Sequence, residues 1–157
     1  MKLNSLILIF ISIIFLSCDI TSSNNPTSNI EYNTQVSIRK ENESIYIEIY
    51  DYPKIAGFQF DLYLSGGNLQ VSSLSASGGV SEEANFTVNT GLDMLRVLGF
   101  NLNGDTIDSA HLDSNRLVYL NIETNGTGLI GLQNVILSGE NGYNIPVNIN
   151  PVLISIP

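Results

Sequence analysis

From residue 34 onward, apolar and polar residues alternate in short runs, and no run sustains a 3.6-residue period. Residues 34–40 place Val36 and Ile38 on one side. Residues 44–50 alternate almost without exception, with Ile45, Ile47 and Ile49 on one face and Tyr46, Glu48 and Tyr50 on the other. Glu41, Asn42 and Glu43 form the turn between them. Residues 57–64 repeat the pattern, with Phe58, Phe60, Leu62 and Leu64 opposing Gln59, Asp61 and Tyr63. Further runs at 69–74, 85–89, 94–102, 117–123, 129–137, 145–149 and 152–156 are rich in β-branched residues and bounded by Gly, Asn, Asp or Ser. All 13 glycines follow residue 56, mostly at run ends. This spacing predicts an all-β fold, a two-sheet jelly-roll β-sandwich of about nine strands over residues 34–157, with no helix in the domain.

The first 33 residues differ. Lys2 precedes an apolar run over residues 6–16, interrupted only by Ser12. Eleven residues are too few to cross a bilayer, which takes about 20 in a helix, but they suit the helical core of a secretory signal. Phe15, Leu16, Ser17 and Cys18 then resemble the lipobox of bacterial lipoproteins. The resemblance implies a signal peptide over 1–17, cleavage before Cys18, and lipid attachment at Cys18. Two or three acyl chains would hold the protein on a membrane, where one chain gives only marginal binding. Residues 18–33 are rich in Ser, Thr and Asn and lack an apolar period, which predicts a disordered polar tether. The expected location is the cell envelope, facing the periplasm or the exterior.

Composition narrows the chemistry. Among 157 residues, 15 acidic and six basic give a formal net charge of −9, which disfavours nucleic acid. One Cys and one His exclude an internal disulfide and a Cys/His zinc cluster. Ser109, His111 and Asp113 lie within one short loop, whereas a catalytic triad converges from a rigid framework. Asp105 with Asp108, and Glu82 with Glu83, lack apolar surroundings that would raise one carboxyl for glycoside hydrolysis. The oxygen-rich run from Asn101 to Asp108 has Thr106 and Leu112 where an EF-hand loop needs Gly and Glu. No catalytic residue, metal site or cofactor is expected.

Three segments carry a family likeness. They are residues 55–62 followed by 68–71, residues 95–107, and residues 131–138 followed by Gly142 and Ile145-Pro146-Val147, with Leu117 to Leu120 between the second and third. In this order they resemble a cohesin domain. The resemblance implies a nine-stranded jelly roll whose flat outer face docks dockerins, small calcium-loaded helical modules, in assemblies that degrade polysaccharides. It places Gln59, Asp61 and Tyr63 outward on the first docking strand. Gly57 and Gln59 stand where cellulosomal relatives tend to carry Asn and Asp. On the second docking strand, alternation with Leu98, Phe100 and Leu102 inward leaves Leu95 and Val97 outward, either covered by a loop or meeting a partner. The candidate partner-binding residues are therefore Gln59, Asp61, Tyr63, Leu95 and Val97. A carbohydrate-binding module on the same fold is the alternative. The chain has no Trp, but Tyr46, Tyr50 and Tyr63 would suffice for sugar stacking if in line. A structural surface lipoprotein is the third reading.

Overall fold

The computed structural model describes residues 31–108 and 114–157. The expected signal peptide, Cys18, most of the expected tether, and Ser109, His111 and Asp113 lie outside the described residues. Among the described residues, eleven strands, one short α-helix and a single 3-10 turn at Glu140–Gly142 follow in chain order. The strands and the helix are β1 (Gln35–Glu41), β2 (Ser44–Tyr50), β3 (Ile55–Ser65), β4 (Gln70–Ser77), α1 (Gly79–Glu83), β5 (Thr87–Gly91), β6 (Arg96–Phe100), β7 (Arg116–Asn125), β8 (Gly128–Gly139), β9 (Asn144–Ile145), β10 (Asn148–Ile149) and β11 (Ile154–Ile156). One sheet has the order β10-β1-β2-β7-β4 and the other β11-β8-β3-β6-β5, with β9 paired to β8. Pairing is antiparallel except between β1 and β10.

The sandwich arises as the alternation requires. Val36, Ile38, Ile45, Ile47, Ile49, Phe58, Phe60 and Leu62 all turn inward and are buried, meeting Leu117, Ile130 and Leu137 from the later strands. Run 145–149 divides in two: Ile145 pairs with Leu137 in one sheet, Ile149 with Val36 in the other. Pro146 sits at the crossing, where a missing N–H costs no ladder bond.

Helix α1 departs from the expected all-strand body. Gly78 and Gly79 lie between two expected strand runs, yet they open a single helical turn closed by Ala84 N–H donating to Val80 O at 3.0 Å. It buries Val80 and Ser81 against the sandwich. Gly79 has φ +66°, and a Cβ there would fall 2.4 Å from the Arg116 carbonyl oxygen, so only glycine brings the helix this close to β7.

Strand β6 reverses the expected phase. Val97 is fully buried opposite Phe60, whereas Leu98 is 40% exposed and Leu102 is 85% exposed beyond the strand. Gly99 takes the next inward position opposite Phe58, whose ring fills the space a side chain would need. With apolar residues on both faces, alternation alone had two solutions. The glycine facing a phenyl ring selects the one observed. Val97 is thus a core residue, not a surface one. Leu95 sits in the β5–β6 turn at φ 48° and packs half-buried against the core.

Candidate functional site

Strand register defines the outer face of the β8-β3-β6-β5 sheet, because directly opposed residues share a face. One cross-strand row reads Asn89, Leu98, Gln59, Ile136; its neighbour reads Thr87, Phe100, Gly57, Ser138. The third reads Gly91, Arg96, Asp61, Gln133, and Tyr63 lies beyond it opposite Gly131. Leu98 and Ile136 are 40% and 51% exposed on either side of half-buried Gln59. The bare backbone of Gly57 leaves a depression of about 270 Å³ between Leu98, Phe100, Ile136 and Ser138. A second cavity of about 300 Å³ opens beside Gly91, Met94, Arg96 and Leu98. At the β5–β6 hairpin tip, Leu92 and Met94 add two more exposed apolar side chains.

One charged cluster interrupts this surface. Arg96 donates from Nε to Asp61 Oδ1 at 2.7 Å and from Nη2 to Asp61 Oδ2 at 3.0 Å, and Asn134 Nδ2 donates to the same Oδ2 at 3.0 Å. A bulge in β8 places Asn134 there: two residues of β8 face one of β3, and Asn134 takes φ 51°. The Arg96 bond holds the Asp61 carboxyl below its ordinary range, burial opposes that, and the Asn134 bond adds to it. Asp61 therefore faces outward yet is only 4% exposed, covered by its own partners.

Of the five expected residues, Gln59, Asp61 and Tyr63 lie on this face. Tyr63 spreads its ring over Gly131, where a Cβ would sit 2.4 Å from the ring. Leu95 and Val97 do not, for the reason β6 gives. Leu98, Phe100, Ile136, Met94 and Arg96 take their place. A usable signal was in the sequence: β3, β5, β6 and β8 together hold one acidic residue, Asp61, and one basic residue, Arg96.

The opposite outer face is built differently. Arg39 pairs with Glu48 at 3.0 Å and Arg116 with Glu41 at 2.7 Å. The Arg116 guanidinium lies 4.7 Å from the Tyr46 ring centre, and its Nη1 donates to the Tyr119 hydroxyl at 2.9 Å. Tyr46 is consequently only 7% exposed. Tyr46 and Tyr50 stand on β2 in one sheet and Tyr63 on β3 in the other, so the three rings form no common row.

Asn101 organises the Asn101–Asp108 run and ties it to the end of α1. Asn101 Nδ2 donates to the Ala84 and Asn85 carbonyls, each at 3.0 Å, and Asn101 Oδ1 accepts from Asn103 N–H at 2.7 Å. Among the described residues no group of three or more His, Cys, Asp or Glu could hold a metal ion, and no helix is long and apolar enough to cross a membrane.

No known family profile matches the sequence, and no curated protein matches it. Solved structures match by fold. A non-cellulosomal cohesin from the hyperthermophilic archaeon Archaeoglobus fulgidus has a TM-score of 0.55 at 13% identity, over 80% of this chain and 91% of that one. The sixth cohesin of Acetivibrio cellulolyticus scaffoldin B, solved with a mutant Cel5 dockerin, has 0.53 at 14% identity, over 80% and 99%. The third ScaC cohesin of the same organism, solved with the ScaB dockerin, has 0.52 at 16% identity, over 78% and 98%. The chain has the cohesin fold. At these identities the likeness concerns the fold, and ligand recognition must be argued from the chain's own residues.

Proposed function

We propose that this protein is a non-catalytic docking module that binds a dockerin-type partner through the outer face of the β8-β3-β6-β5 sheet. The observation that carries the reading is charge depletion. A chain with 15 acidic residues leaves four strands with a single, mutually neutralised ion pair, and exposes Leu98, Ile136 and half-buried Phe100 there. Loss of charge with retained apolar and amide groups is the compositional mark of an interface core. The dockerin complexes of two neighbours of the same fold favour that partner class. The lipobox-like Cys18 supports a membrane-anchored, extracytoplasmic module, a setting that suits an assembly degrading polysaccharides outside the cell.

The test is capture of a dockerin panel by the purified full chain, with calcium and with chelator. Calcium-dependent capture that is abolished by Ile136→Asp supports the proposal. Failure to bind any dockerin, or binding indifferent to Ile136→Asp, refutes it. Cys18→Ser should abolish palmitate labelling, and unchanged labelling would refute the anchor.

A further inference from the structure

The docking face has two cavities, and the one beside Arg96 is built differently from the apolar depression over Gly57. Its wall on β5 is missing because Gly91, which pairs with Arg96, has no side chain, and a Cβ at Gly91 would meet nothing within 4 Å. Met94 and Leu98 supply apolar walls, and Asn89, Thr90 and Asp93 complete the lining.

Arg96 is held in one orientation there. Asp61, its side chain 6% exposed, receives both Nε and Nη2, and Asn134 fixes the carboxylate from its other side. A guanidinium carries five N–H donors in a rigid fork, so this engagement leaves Nη1 over. Among the described residues Nη1 has no bonded partner, and the Arg96 side chain is one-third exposed. The result is a pre-oriented donor beside an open apolar cavity. Little rotamer entropy remains to be lost when a ligand meets it.

Charge decides what the donor suits. Arg96 is neutralised by Asp61, and Asp93 adds a carboxylate to the lining, so the cavity carries a net negative charge, as does the whole chain at −9. A carboxylate or phosphate on the partner would enter against that field, whereas a neutral oxygen would not.

We infer that this cavity is the specificity pocket of the docking face, seating one aliphatic side chain of the partner while Arg96 Nη1 donates to a neutral acceptor beside it, a hydroxyl or a main-chain carbonyl. This rests on the docking reading above. An aliphatic group gains from leaving water, and the flanking acceptor keeps the Arg96 donor satisfied once water is expelled.

Gly91→Leu fills the cavity without strain, since Gly91 is outside the left-handed region and its Cβ direction is open. The experiment titrates the full chain, its Gly91→Leu, Gly91→Ala and Ile136→Asp variants with calcium-loaded Cel5 and ScaB dockerins of Acetivibrio cellulolyticus and a wider dockerin panel. Thermal melting checks each variant. The expected result is a tenfold or greater loss for Gly91→Leu at unchanged melting temperature, and a change under threefold for Gly91→Ala. Arg96→Lys, which withdraws the fork but keeps the charge, is expected to lose several-fold. If Ile136→Asp abolishes binding while Gly91→Leu binds as the parent does, the pocket assignment is overturned and the docking reading stands. If the parent chain binds no dockerin, or Ile136→Asp binds normally, the docking reading fails and the pocket assignment with it.

Discussion

Replacing Gly99 by alanine should damage the fold far more than one methyl group suggests. The new Cβ would lie 2.1, 2.2 and 2.7 Å from Phe58 Cζ, Cε1 and Cε2. Phe58 has no room to yield: it is 2% exposed and stacks against Phe60 and Phe86, with ring centres 6.2 and 6.0 Å away. Either the ring rotates out of its slot or β3 and β6 part. Overpacking costs about 1–3 kcal/mol, and losing the buried phenyl altogether costs about 3–5 kcal/mol. A destabilisation of about 3 kcal/mol lies where the two ranges meet. Urea unfolding followed by far-UV circular dichroism measures it, with unchanged slope as the sign that two-state behaviour persists. The control is Phe58→Leu, which removes the clashing atoms. The double variant should be more stable than the sum of the two losses allows, by at least about 1 kcal/mol. A Gly99→Ala loss under about 0.5 kcal/mol, or strict additivity, would refute the account of β6.

Three further outcomes follow from the same contacts. Arg96→Met leaves the Asp61 carboxylate with Asn134 alone on a nearly closed surface, and should lower the melting temperature at pH 7. Because folding lowers the Asp61 pKa, the pair's contribution is present above the ordinary aspartate range near 3.8 and fades as pH falls through the lower folded value; melting curves of parent and variant should converge there. Tyr52 is pushed up by burial and then by the charges of Asp108 and Glu83, so its contribution is complete below pH 10 and is lost as pH rises past its folded value. Tyr52→Phe should flatten that alkaline loss, and an unchanged alkaline limb would contradict the assignment. Tyr46→Ala should cost about 2 kcal/mol by freeing Arg116 and Tyr119, yet leave dockerin affinity within twofold, because it lies on the other sheet.

The strands that bury one face were legible in the sequence because each apolar set had one solution: Ile45, Ile47 and Ile49 on β2, and Phe58, Phe60 and Leu62 on β3. Strand β6 was not, since Val97 and Leu98 are equally apolar and only the cross-strand partner of Gly99 settles which turns inward. Helix α1 escaped because its signal is two glycines, and glycine marks a turn as readily as a close approach of backbones. Solvent-facing position also failed as a guide to exposure. Tyr46 and Asp61 both point outward, and both are covered by an arginine from a neighbouring strand. The candidate face was thus half legible as a surface: Gln59, Asp61 and Tyr63 were placed on it by alternation, and Leu98, Ile136 and Arg96 only by register.

The most direct measurement of the docking claim is amide hydrogen exchange of the full chain, alone and saturated with a calcium-loaded dockerin it binds. Slowed exchange should be confined to β8, β3, β6, β5 and the β5–β6 hairpin. Protection centred on β1, β2, β7 and β4, around Arg39 and Arg116, would contradict it.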